Sequence, residues 1–230
     1  MKQQILLFLS FLFIYGCSSS SDGNSNSNTT LLPPVTIGTQ IWSSTNLDVT
    51  TYRDGTPIPQ VTDGTQWNNL TTGAWCYFDN DPANGAIYGK LYNWYAVAGI
   101  HDAASLNEPS LRKQLAPQGW HIPSDAEWTT LTTFLGGLSV AGGKMKSTGT
   151  SLWLAPNAAA TNESGFTGLP GSYRANGGAF MPIGTNAFWW SSSEANSEDA
   201  YLHMLLSSSR FASRIFLFKF DGGSVRCVKD

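Results

Sequence analysis

The stretch Gly119-Trp120-His121-Ile122-Pro123-Ser124-Asp125-Ala126-Glu127-Trp128 dictates its own local structure: a strand end that turns into a capped helix. Ser124 can accept a backbone N–H of the first helical turn, and Glu127, three residues on, can reach back to the N–H of Ser124. Pro123 sits just outside the cap and disfavours helix in the residue before it, so the start is sharp. Asp125 and Glu127 fall at the positive end of the helix dipole. Trp128, Leu131 and Leu135 then share one helical face, and Gly136-Gly137 supplies a stop. The spacing predicts a helix from Asp125 to Leu135 with Trp128 directed inward.

The beginning of the chain reads as an address. Lys2 is followed by an apolar run, Ile5 to Tyr15, too short to cross a bilayer as a helix. It ends at Ile14-Tyr15-Gly16-Cys17, which resembles a bacterial lipobox and so implies a signal peptide over residues 1–16 and acylation of Cys17. The competing reading is an ordinary secretory signal with an incidental cysteine. Several acyl chains on one residue anchor a protein stably, where a single chain binds marginally. Residues 17–35, Cys17 followed mostly by Ser, Asn, Gly and Thr, read as a flexible tether. The expectation is an outer-membrane lipoprotein, facing the periplasm or the cell surface, that touches the membrane through its lipid anchor.

Residues 36–230 are enough chain for one sizeable domain. Across the whole sequence 13 Lys plus Arg stand against 16 Asp plus Glu, without a basic cluster, which argues against a nucleic-acid partner. Twenty-three glycines and nine tryptophans fit an exported, loop-rich fold with an aromatic core. Beyond Cys17 the cysteines are Cys76 and Cys227. An oxidising compartment predicts a disulfide between them, the alternative being two buried free thiols.

Turn signals and periodicity sketch an α+β layout. Residues 36–48 read as a strand pair or a strand-loop entry with Ile37, Ile41 and Trp42 inward, and Asp54-Gly55, Asp63-Gly64 and Thr72-Gly73 mark turns. Leu91, Trp94, Tyr95 and Ala98 have helical spacing, which predicts a first helix over residues 90–98; the capped helix is the second. After Gly142-Gly143 the pattern predicts strands at 166–173, 179–183, 187–192, 201–207 and 214–220. Asp221-Gly222 then predicts a tight hairpin into 224–229. Two helices followed by antiparallel strands make an α+β fold with long loops.

Several motifs in order carry a family resemblance. Tyr88-Gly89-Lys90-Leu91-Tyr92-Asn93-Trp94-Tyr95-Ala96-Val97, Gly119 to Trp128, Ala160 to Phe166, Leu169-Pro170-Gly171, Trp190 to Glu194 and Ser224 to Val228 resemble the Fibrobacter succinogenes major paralogous domain. The central motif is also similar to a segment of sulfatase-modifying-factor proteins. That second likeness implies a C-type-lectin-like fold, with two helices packed on antiparallel sheets.

Catalysis is not expected. The formylglycine-generating relatives need a reactive cysteine pair in a late loop, and no cysteine lies between Cys76 and Cys227. His101, His121 and His203 are scattered, with no zinc-type or nucleophile-elbow pattern; His121 reads as a hydrogen-bonded structural residue and His203 as lying on the polar face of a strand. A binding role fits better. Aromatic faces beside amides and charged groups suit sugar rings, which makes Trp153, Asn157, Arg174, Phe188 and Trp189 the candidate ligand contacts. Trp190 and the Asn162 to Phe166 segment read instead as structural. No cofactor is expected. Calcium at Asp79-Asn80-Asp81 is the weaker alternative to a set of turns, because the segment departs from the EF-hand pattern. The sequence thus points to a membrane-anchored, non-catalytic recognition domain for a glycan or an envelope protein; the alternative is an assembly component of a larger surface complex.

Overall fold

The computed structural model describes residues 33–230. The expected signal peptide, Cys17 and all but the end of the expected tether therefore lie outside the described residues. Mixed helices and antiparallel sheets make an α+β fold. Among the described residues no helix is long and apolar enough to cross a membrane.

The chain opens with a hairpin of β1 (Pro34–Ile37) and β2 (Gln40–Ser43), then α1 (Gly64–Asn68) and β3 (Trp75–Cys76). Next come α2 (Pro82–Tyr88), β4 (Leu91–Asn93), α3 (Trp94–Val97) and α4 (Ala103–Asn107). The centre of the chain gives β5 (Trp120–His121), α5 (Asp125–Phe134) and α6 (Leu138–Met145). The last third gives β6 (Asn186–Glu194), β7 (Asp199–Leu206), β8 (Ala212–Phe218), β9 (Gly222–Gly223) and β10 (Val228–Lys229). Among the described residues three sheets result, ordered β1-β2-β10-β5, β3-β4-β9 and β6-β7-β8.

The central motif folds as its residues require. Ser124 Oγ accepts from Glu127 N, and Glu127 Oε2 accepts from both Ser124 N and Ser124 Oγ at 2.8 Å. Trp128 and Leu131 are wholly buried, and α5 ends at Gly136 and Gly137, whose φ of 100° and 92° suits glycine. Gly142-Gly143 does not break the chain into strands. It lies inside α6, where a Cβ on Gly142 would stand 2.2 Å from the carbonyl oxygen of Phe211. The missing side chain lets the helix lie directly on that backbone.

Elsewhere tertiary pairing overrides local pattern. Residues 90–98 split into β4, held between β3 and β9, and the single turn α3, so the nine-residue helix predicted there is not formed. The predicted strands at 166–173 and 179–183 reduce to isolated bridges, with Thr167 and Ser172 at positive φ. Asp221-Gly222 makes no hairpin, because Gly222 and Gly223 pair back to β4 while Val228 pairs with Trp42 and His121. β6, β7 and β8 stand near their expected places.

Long loops need donors for their buried carbonyls. Buried cations supply them, and three hold three carbonyls each: Arg226 donates to the carbonyls of Ser43, Phe166 and Thr167, Arg174 to those of Val61, Thr62 and Gly178, and Lys146 to those of Ala158, Leu206 and Ser209. Each also lies over aromatic rings, Arg226 on Phe166, Arg174 on Trp67 and Lys146 on Trp153. Irregular backbone is thereby fixed without a sheet ladder.

The disulfide expected between Cys76 and Cys227 is absent; both are free, buried thiols. Cys76 faces a cluster with Val61, Trp67, Ala74, Phe78 and Leu91. Cys227, beside β10, belongs to the main core with Tyr92, Trp190 and Val225. The two side chains serve different hydrophobic clusters.

Candidate functional site

The five residues expected to contact a ligand are all in the interior. Trp153 is wholly buried and donates from Nε1 to Gly168 O at 3.0 Å. Asn157 uses its amide to hold the carbonyls of Ser147 and Gly149. Arg174 is buried too, its guanidinium spent on loop carbonyls. Phe188 packs on Tyr173 with ring centroids 4.6 Å apart, and Trp189 donates to Asn46 Oδ1 at 2.8 Å. Phe188 and Trp189 alternate across β6, yet both faces of that strand are covered, so neither reaches a ligand. The Asn162 loop is structural as expected, its amide exchanging two bonds with Thr167. Of the nine tryptophans eight are buried and Trp120 is half-buried.

The turn at Asp79-Asn80-Asp81 serves the backbone. Asp81 caps α2 and Asn80 donates to Thr62 O. Among the described residues no group of three His, Cys, Asp or Glu side chains is placed to hold a metal ion.

An open surface lies instead on the β6-β7-β8 sheet. One face carries Ala200, Leu202, Ile215 and Leu217 into the main core. On the other face the rows run Leu205 with Ala212, His203 with Arg214, Tyr201 with Phe216 and Asp199 with Phe218. Leu205 and Ala212 are covered, together with Trp128, in a second cluster. His203 is the last covered row. It is buried, not polar-facing, and lies flat on Trp128 at 4.6 Å with 13° between planes.

Asp125, the first residue of α5, closes that edge. Its Oδ1 stands 3.4 Å from His203 Nε2 and accepts from Arg214 Nε at 2.7 Å. His203 and Arg214 hold the Asp125 carboxyl down to about 2, against the effect of burial. Burial lowers His203 below its ordinary range, opposed by Asp125, whose 3.4 Å contact with Nε2 falls short of a formed hydrogen bond; Nδ1 has no partner among the described residues. Beyond this rim no described residue covers the face. The Arg214 guanidinium stacks 3.6 Å over Tyr201, Phe216 is 60% exposed and Phe218 37% exposed, and Phe218 stacks on Phe220 at 5.1 Å. β8 is also the end strand of its sheet, paired among the described residues with β7 alone.

Sequence reasoning misses this stripe. Arg214-Ile215-Phe216-Leu217-Phe218-Lys219-Phe220 is almost continuously apolar, which reads as a strand buried on both faces. The available signal is finer: the aliphatics occupy one parity and the aromatics the other.

A second surface is concave. A cleft of about 600 Å³ is lined by Arg53, Asp54, His101, Asp102, Ser110, Leu111, Arg112, Lys113 and Gln114. Arg53 spends its guanidinium on the carbonyls of Ala116, Pro117 and Trp120. Lys113 reaches Asp54 Oδ2 at 2.5 Å and Thr56 Oγ1 at 2.7 Å. His121 lies elsewhere, between Glu127 at 2.6 Å and Asp230 at 2.8 Å, a structural link as expected; burial works against its charge, but those two carboxylates outweigh it and raise its pKa.

These features define an α+β domain of short antiparallel sheets whose long loops are tied by buried cations and whose last long strand leaves an aromatic edge open. The chain belongs to the Fibrobacter succinogenes major domain family, whose sequence model matches residues 35–229. No curated protein and no solved structure matches it.

Proposed function

We propose that the chain is a non-catalytic recognition domain of the bacterial cell envelope that docks a protein partner along β8. The observation that carries this reading is the exposed pair Phe216 and Phe218 on a strand with one edge unpaired among the described residues, flanked by Tyr201 and Arg214. An extended segment of a partner can add to such an edge through backbone bonds while its alternate side chains rest on the rings. Aromatic residues and Arg are the types that concentrate binding energy at interfaces. The row of exposed Trp that would favour sugar stacking is not formed, since eight of nine are buried.

Two further parts of the reading rest on other support. The lipobox resemblance at Cys17 supports an outer-membrane anchor. The pairing of β2 with β10, which brings the two ends of the domain together, supports a C-type-lectin-like arrangement.

A photocrosslinking phenylalanine analogue placed at Phe216 of the full-length chain, expressed in its native envelope, tests the proposal. The expected result is an adduct that maps to one extended segment of a single protein and disappears with Phe218→Lys. If no protein adduct forms and the chain instead binds a glycan array through Phe216, the docking reading is wrong and the surface is a sugar platform.

A further inference from the structure

We propose that the cleft beside α4 is a binding site for a small polyhydroxylated monocarboxylate, a sugar acid, with Arg112 gripping the carboxylate. The cleft is independent of the β8 surface, and its volume of about 600 Å³ falls within the roughly 300–1,000 Å³ of small-ligand pockets.

The charges in the cleft identify the ligand class. Lys113 is committed to Asp54 and Thr56, and Arg53 to three backbone carbonyls. Arg112 differs: its Nε donates to Ser105 O at 3.3 Å, and among the described residues no acceptor engages its terminal nitrogens and no carboxylate pairs with it. Its planar fork is therefore available for a bidentate grip on one carboxylate.

The two acids favour hydroxyls and disfavour a second negative charge. Lys113 and Thr56 hold the Asp54 carboxyl down to about 2, and Ser105 lowers that of Asp102, so both are ionised acceptors at neutral pH. A carboxylate accepts from a ligand hydroxyl but repels an anion, so a phosphate dianion would leave one charge unmatched beside them. Leu111, half exposed, and the His101 ring add apolar wall for a sugar's C–H face.

Calorimetric titration of the full-length chain in detergent with glucuronate, glucose and inorganic phosphate tests the assignment. Saturable glucuronate binding is expected, weakened about tenfold or more for glucose and for Arg112→Gln, as loss of a charged hydrogen bond implies. Arg112→Lys should fall between, because it keeps the charge and loses the fork. Thermal melts check that each variant is folded; if Arg112→Gln is not, Arg112→Lys decides. Phosphate binding as tight as glucuronate would make this a phosphate site and overturn the assignment. So would glucose binding equally well, an unchanged affinity in the Arg112 variants, or no saturable binding at all.

Discussion

Arg226 and Phe166 meet twice: the guanidinium lies 4.4 Å over the Phe166 ring, and its Nη1 donates to the Phe166 carbonyl at 2.9 Å. The same side chain holds Ser43 O, Thr167 O and Asn46 Oδ1. One buried cation thus fastens the end of β2, the loop after residue 162 and the last segment of the chain.

Arg226→Met should therefore destabilise the fold by about 3 kcal/mol or more, because several buried acceptors lose their donor at once. Arg226→Lys should recover only part of this, since an ammonium cannot reproduce the fork. Urea unfolding of the variants measures both.

His203 gives a prediction of opposite sign. Its ring fills space against Trp128, but its Nε2 meets Asp125 only in a long 3.4 Å contact and its Nδ1 has no partner among the described residues, so His203→Phe keeps the stacking and removes a buried polar cost. Because the folded pKa is depressed below 6.5, the wild-type contribution is present above that value and is lost as pH falls through it. The variant should match wild type within about 1 kcal/mol at pH 8 and exceed it in acid. Paired thermal melts at the two pH values would show this, and a variant less stable in acid would refute it.

Asp221 is buried, with one oxygen unpartnered, and burial pushes its carboxyl up to about 7. A raised folded pKa means stability present below 3.8 and lost as pH rises through about 7. Asp221→Asn should remove this loss, gaining on wild type at pH 8 relative to pH 5. Denaturant midpoints at those two pH values are the measurement, and equal gains at both would contradict the linkage.

Cys76 and Cys227 are unbridged, and burial raises both thiols, Cys76 to about 12. A reductant should leave the melting temperature unchanged, and iodoacetamide should not reach either residue in the native state. A drop in melting temperature with reductant would reveal a bridge.

Legibility in the sequence follows how local each determinant is. The capping box at Ser124 and Glu127 is complete within a few residues, so α5 is readable nearly to its ends. Leu91 to Asn93 carries a helical pattern, yet its fate depends on β3 and β9, the latter far away in sequence. Arg174 reads as a ligand contact because a charged residue in a loop-rich region is normally exposed. Only the fold reveals the three carbonyls that draw it inside. Trp153 and Trp189 mislead for a related reason: here indoles fill the core, and the exposed aromatics are phenylalanines.

The pairing of β2 with β10 has a consequence for how the protein is made. Ser43 and Arg226 are 183 positions apart, and the ribosome delivers them in that order. Until Val228 emerges, β2 has an open edge and the carbonyls of Ser43, Phe166 and Thr167 lack their donor. This domain therefore cannot lock before residues 226–228 have been made, and its long-range closure waits on them rather than on any earlier segment.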